Sequence, residues 1–387
     1  MAIYLDHAAT TPLRPEVLEA YVAALGVVGN PSSIHTQGQQ AKRMLEEARE
    51  RVAASLGADP VEVTFTSGGT EAVNLAVKGL YWARSGDRAK PRSRILTSRA
   101  EHHATLDAVE WLVAHEGAVV DWIPVDELGR LDLGYLATAL ADDVALVSVL
   151  WANNEVGTVQ PVAEVVALAA AHGVPVHCDA VSAYGHVPVA LDGLAALSVS
   201  AHKVGGPVGV GALVISRSAS VTPLLHGGNQ QRARSGTQDA AGSVAFGVAA
   251  TLATRGLPVD TALRDRLIAG VRAAVPDAVL RGDPVHRLPG NAHFTFPGCE
   301  GDSLLFLLDV AGFSVSTGSA CQAGVPEASH VLLAMGVPER EARGALRITL
   351  GPDSTAAEVD AFVAALPAAV AQARAAGLAD REPRLGR

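Results

Sequence analysis

Short apolar segments alternate with longer amphipathic ones through the first two thirds of this 387-residue chain. That rhythm is the signature of βα units around a mostly parallel sheet. Val61, Val63 and Phe65 alternate as one strand, and further strands are predicted at Arg94–Ser98, Val119–Ile123, Val144–Val149, Val174–Cys178, Leu197–Ser200 and Gly211–Ile215. Between the segments, Ala41, Met44, Leu45, Ala48, Val52 and Leu56 recur at helical spacing from Gln37 to Leu56, and Gly57 stops the helix. A second helix, Pro161–His172, is opened by its proline and closed by Gly173. The pattern is doubly wound, and the fold class it implies is α/β.

Around Arg255–Pro258 the rhythm changes to helix, strand, a Gly/Ser-rich loop, helix, strand and a final Ala-rich helix, which marks a smaller C-terminal domain. With 49% apolar residues the chain can support one large or two unequal cores. A net charge of −10 without any Lys/Arg block argues against nucleic acid or anionic lipid and favours a small molecule or a protein as partner. The opening MAIYLDHAATTP has no basic, then apolar, leader, and no run elsewhere approaches the roughly 20 apolar residues of a membrane span. A cytoplasmic protein with no membrane contact is expected. Three cysteines, Cys178, Cys299 and Cys321, without CxxC spacing indicate neither a disulfide framework nor a metal site, so an important cysteine acts alone as a thiol.

Two predicted strands end in chemistry. Val174–Asp179 ends in a carboxylate and Ser200-Ala-His-Lys203 ends the next strand in an amine, both facing the ligand crevice of an open α/β sheet. Pyridoxal 5'-phosphate (PLP) needs a lysine to bond its aldehyde and an acid to keep its pyridine nitrogen protonated, and Lys203 and Asp179 suit those roles. Taken singly, Asp179 equally caps a turn and Lys203 equally belongs on a surface; their joint placement after consecutive strands favours the cofactor. Upstream, the strand through Phe65 runs into Ser67-Gly-Gly-Thr-Glu71 and a helix whose exposed N–H groups suit a phosphate. A Gly-Gly turn before a helix is common and is a weak motif by itself.

Taken together, SGGTE, AEHHA, WANNEVG, HCDAVSA, SAHK, RSGT and STGSAC occur in the order found in NifS/IscS-type cysteine desulfurases, which the chain resembles from LDHAATTP to the LRITLG segment. The resemblance implies the fold-type I architecture of PLP-dependent transferases and a homodimer. It implies a large PLP domain over residues 16–254 and a small α+β domain from residues 1–15 and 255–387. By motif, Lys203 resembles the lysine that bonds PLP, Asp179 the partner of the pyridine nitrogen, and His102 the ring-stacking residue that also relays protons, while its neighbour His103 reads as a solvated helix residue. The phosphate is then held by Gly69, Thr70, Ser200 and His202, with Thr237 reaching in from the neighbouring subunit. Asn154 resembles an asparagine near cofactor and substrate carboxylate, Arg347 the arginine gripping that carboxylate, and Asn30 its helper. Asparagines also often stabilise turns, and an arginine between apolar residues can also pair with a structural carboxylate, but for Arg347 the functional role is favoured. Ser182 departs from the pattern, since most relatives carry glutamine there against the cofactor's phenolic oxygen; the shorter hydroxyl calls for a water bridge.

Cys321 lies among small residues with two glycines, Ser314 to Gly324, ahead of a helical stretch near His330–Met335. A thiol that visits the substrate and then an acceptor outside needs such a loop. Cys178 on its apolar strand reads as a core residue, and Cys299 follows a Pro-Gly turn. The expected reaction turns L-cysteine into L-alanine and a persulfide on Cys321, destined for an iron–sulfur scaffold, a tRNA-thiolation enzyme or a cofactor-biosynthesis protein. The competing readings are another fold-type I activity, selenocysteine lyase or aminotransferase, and a sulfur-shuttling scaffold without catalysis.

Overall fold

The computed structural model describes residues 2–86, 92–228, 230–255, 261–318 and 328–376. Its strands are β1 (Ile3–Tyr4), β2 (Val63–Thr66), β3 (Arg94–Ser98), β4 (Val119–Ile123), β5 (Val144–Leu150), β6 (Val176–Asp179), β7 (Ala196–Ser200), β8 (Gly211–Ile215), β9 (Val279–Arg281), β10 (Asn291–Thr295), β11 (Phe313–Ser314) and β12 (Ala345–Thr349). Its α-helices are α1 (Pro15–Leu25), α2 (Thr36–Ser55), α3 (Gly69–Ser85), α4 (His103–Glu116), α5 (Leu133–Ala139), α6 (Val162–Ala171), α7 (Ala240–Thr254), α8 (Thr261–Ala274), α9 (Gly301–Val310), α10 (His330–Ala334), α11 (Glu339–Ala342) and α12 (Ala356–Ala375).

The fold is α/β around a seven-stranded sheet of order β2-β8-β7-β6-β5-β3-β4. Strands β4, β3, β5, β6 and β7 run parallel, whereas β8 is antiparallel to both β7 and β2. Two reversals restore direction, so β2 points the same way as β7 and ends at the same edge. One face of the sheet packs Val147, Val176, Cys178 and Val199 against α2, α6 and α7, and the other packs Ile95, Leu213 and Ile215 against α3 and α4. Helices on both faces explain why these strands are largely apolar. A polar rung crosses the interior: Ser148 Oγ and Ser198 Oγ lie 2.9 and 2.8 Å from the two ring nitrogens of His177, joining β5, β6 and β7. Burial lowers the His177 pKa to about 3 and keeps the ring neutral.

Most predicted elements stand within a residue or two of their expected bounds, and the exceptions have local causes. Val61 falls in the 3-10 turn Pro60–Glu62, not the strand, because Pro60 opens the turn and the Glu62 carboxylate accepts from Asp59 N at 2.8 Å. The last third holds more than the expected helix–strand–loop series: α9 precedes the Gly/Ser loop, and β10 lies between β9 and β12, antiparallel to both. A second core gathers Leu5, Leu267, Phe294, Leu308, Phe313, Ile348 and Phe362 around this three-stranded sheet. The N-terminus joins it, β1 running parallel to β11 with Ile3 N bonded to Gly312 O at 2.8 Å. Among the described residues, one helix, α12, is long and apolar enough to cross a membrane. Its apolar face is spent inside that second core, through Val359, Phe362, Leu366 and Val370.

Candidate active site

Parallel strands bring their C-terminal ends to one edge, and the predicted residues gather there. Asp179 closes β6 with 4% of its surface exposed, and one carboxylate oxygen accepts Val181 N at 2.9 Å. Burial pushes its pKa up to about 6, against the pull of that N–H and of the Lys203 charge. Lys203 follows β7 on the 3-10 turn Ala201–Lys203, and its Nζ donates to the carbonyls of Ala8 and Ala9. Burial, then the neighbouring Arg347 charge, lowers its pKa to about 8, while Asp6 and Asp179 oppose the fall.

The helix start predicted to bind phosphate meets these residues because β2 ends at the same edge. An added Cβ at Gly211 would lie 2.8 Å from the Gly68 carbonyl carbon, so only glycine lets the β2–α3 turn cross the start of β8 this closely. Gly69 then abuts the end of β7: its Cβ would stand 2.8 Å from Val181 Cγ2 and 3.6 Å from Ser200 Cβ. Ser200 is 1% exposed and its Oγ has no hydrogen-bond partner. Such an orphaned hydroxyl is costly unless a ligand completes it. Thr70 is exposed in the first turn of α3, where free N–H groups and the helix dipole favour an anion. His202 Nδ1 lies 3.3 Å from Thr10 Oγ1.

His102 is the N-cap of α4, its Nδ1 accepting Ala104 N at 3.1 Å, which leaves Nε2 as the remaining nitrogen. The ring is open to solvent, yet desolvation by the protein around it and the Lys203 charge lower its pKa to about 4 and hold it neutral. His103 is half-exposed and its ring meets that of His330 at a tilt of 56°, their centres 4.6 Å apart. A cavity lined by His7, Asn154, Ser182, His186, Lys203 and Asn291 unites three predicted residues with two histidines and an asparagine that the motifs had not indicated.

Arg347 on β12 is 4% exposed and spans the two parts of the chain: Nη1 donates to Asn154 O and Nη2 to Asp6 Oδ1, both at 2.9 Å. Asp6, also missed in the sequence, has no periodicity to betray it and meets Arg347 from 341 positions away. Asn30 is not drawn in by any visible contact; it is exposed between α1 and α2, its Oδ1 accepting Ser32 N at 2.9 Å. Thr237 is exposed in the loop before α7. Cys321 lies outside the described residues, but its flank is fixed: Ser316 and Arg347 exchange backbone hydrogen bonds of 2.6 and 3.2 Å.

The site invites comparison with proteins of known kind. A family model described as aminotransferase class-V matches residues 3–362. The chain is 55% identical to an IscS-like cysteine desulfurase of Mycobacterium tuberculosis, with 97% of this chain and 98% of that one aligned. A solved NifS-like protein superposes with a TM-score of 0.88 at 35% identity, across 96% of this chain and 100% of its own. SspA, solved in complex with cysteine, superposes with a TM-score of 0.79 at 31% identity, across 91% and 100% of the two chains.

Proposed function

The chain belongs to the aminotransferase class-V family, and from that premise we propose that it is a cysteine desulfurase, converting L-cysteine to L-alanine and retaining the sulfur on Cys321. Its fold is that of the fold-type I PLP-dependent transferases, and its relatives at high identity are cysteine desulfurases by name. The observation that carries the reading is the coupled Asp179–Lys203 pair at one sheet edge beside the unsatisfied Ser200 hydroxyl.

These residues fit the cofactor. Gly69, Thr70, Ser200 and His202 would hold its phosphate, with Thr237 of the partner subunit completing the cradle in a homodimer. Asp179 would face the pyridine nitrogen, His102 would offer a neutral ring, and Ser182 and Asn154 would hydrogen-bond from the cavity. When bound, PLP supplies an electron sink for the substrate's Cα. The free Lys203 amine would take the Cα proton at Nζ, a transfer suited to an amine whose pKa is about 8. Arg347 grips the substrate carboxylate, with Asn30 assisting. The Cys321 thiolate attacks the substrate sulfur: an S–S bond forms, the Cβ–S bond breaks, and the carbon keeps the electron pair and accepts a proton to leave as alanine. Residues 16–254 serve as the cofactor domain and residues 1–15 with 255–387 as the small domain, in a cytoplasmic enzyme. The persulfide passes to an acceptor protein, an iron–sulfur scaffold or a thiolation enzyme.

Incubating the PLP-loaded protein with L-cysteine should yield alanine and protein-bound sulfane sulfur in equal amounts in the first turnover, with no keto acid required. Alanine formation that depends on a keto acid would identify an aminotransferase instead, and a colourless protein without PLP would identify a scaffold. The Lys203 amine also sets a pH dependence. Only its neutral form bonds an aldehyde, so capture of PLP by the free protein should accelerate about tenfold per pH unit below pH 8 and level off above it. Stopped-flow absorbance across pH 6 to 9 reads this directly.

A further inference from the structure

We infer that Asp6 is an internal placeholder for the substrate carboxylate, a positioning residue that occupies Arg347 between turnovers and yields it when substrate binds. The inference rests on the reading of Arg347 as the carboxylate site and adds to it a role for the Asp6 pair that meets its buried charge.

The geometry sets three conditions. First, Arg347 is nearly enclosed, and an unpaired guanidinium in that setting would be costly. Second, its donors are unequally used. Nη1 is fixed on the Asn154 carbonyl, Nε is buried without a partner, and only Nη2 meets a charge, a single Asp6 oxygen at 2.9 Å. Arg–carboxylate recognition is strongest when two parallel N–H groups meet two oxygens, so Asp6 makes a weaker pair than the guanidinium can support. Third, the Asp6 backbone is pinned while its side chain is not. Asp6 bridges Thr349 of β12, Ala8 N donates to Thr349 Oγ1 at 2.9 Å, and Tyr4 Oη and Ala9 N both donate to the Asp6 carbonyl at 3.0 Å. Only the carboxylate, on its two side-chain torsions, is left to swing.

Position supplies the remaining step. Arg347 and Asp6 both act electrostatically on Lys203, so the pair flanks the amine that the substrate's own amino group must reach. An α-amino acid carries its carboxylate two bonds from that nitrogen. A carboxylate arriving on Arg347 therefore competes with Asp6 for the same donor. The residue lowers apparent affinity by the amount needed to displace it and, by returning, helps expel the product carboxylate.

Asp6→Asn keeps the shape and removes the charge. A hydrogen bond to a charged group outweighs its neutral counterpart by enough to predict about a tenfold drop in both the KM for cysteine and the inhibition constant of alanine. The kcat should not rise, because alanine leaves more slowly. Asp6→Ser is the second variant and must move both constants in the same direction; cofactor absorbance and the melting temperature report folding. Unchanged or weakened alanine binding in either folded variant would overturn the placeholder role. Arg347→Lys separates the two levels. If it leaves alanine affinity unchanged, the carboxylate-site reading fails; if it weakens affinity while the Asp6 variants do nothing, that reading stands and the placeholder role falls.

Discussion

Replacing Lys203 with alanine should abolish covalent capture of the cofactor and lower cysteine desulfuration by about 10²- to 10⁴-fold, the range lost when a positioned proton-transfer group is removed. The chain should still fold. Lys203 Nζ makes two hydrogen bonds, to Ala8 O and Ala9 O, worth about 1 kcal/mol each, and neither carbonyl belongs to a strand ladder. Phosphate contacts at Gly69, Thr70 and Ser200 would survive, so PLP should bind reversibly and leave on dialysis. The chemistry is easy to localise because the chain has only four lysines, Lys42, Lys78, Lys90 and Lys203. Borohydride reduction followed by peptide mapping should place the cofactor on Lys203 in the parent and on no lysine in the variant. A stable adduct elsewhere, or retained activity, would remove the basis of the whole mechanism.

Cys321→Ser should keep the bound cofactor and its colour yet lose protein sulfane sulfur altogether, with sulfur delivery to any acceptor down at least about 10³-fold. The other two cysteines cannot substitute. Cys178 is fully buried in β6, where burial and the nearby Asp179 and Glu101 charges push its thiol well above the usual range. Cys299 is 1% exposed, burial raises its pKa too, and its Sγ lies 3.8 Å from Val370 O. Neither presents a thiolate near neutral pH. Mass spectrometry after one turnover should show a 32-dalton-type sulfur addition, on the order of one sulfur per chain, in the parent and none in the variant. Undiminished sulfur in Cys321→Ser would move the nucleophile elsewhere.

How much of this was readable in advance depended on the kind of signal. Strands β3, β4 and β8 stand at their expected bounds because sheets covered on both faces leave short, mostly apolar runs between turn residues. Periodicity carries no direction, so the reversal of β8 was invisible. The run Leu304-Leu305-Phe306-Leu307-Leu308 in α9 has no polar face to reveal its period, and a three-residue β9 is too short to show one. At the site, motif residues were legible because glycine, lysine and aspartate serve needs that few other side chains meet. Asp6, His7 and His186 were not, since each enters through long-range packing of the N-terminal segment or a cavity wall. Asn30 comes from its motif alone, and in the fold its side-chain Oδ1 accepts Ser32 N within its own turn.

The His177 rung bears on how accurately the reactive groups are spaced. His177 and Asp179 project from the same side of β6, so the imidazole gauges the height at which the carboxylate emerges relative to the neighbouring strand. Sliding β6 by one residue would shift that carboxylate about 3.3 Å, turn it to the opposite face and strip two serines and a ring of their partners at once. An error too small to unfold the sheet would thus be caught in its interior, where three polar side chains act as a vernier for the distance between an acid and an amine.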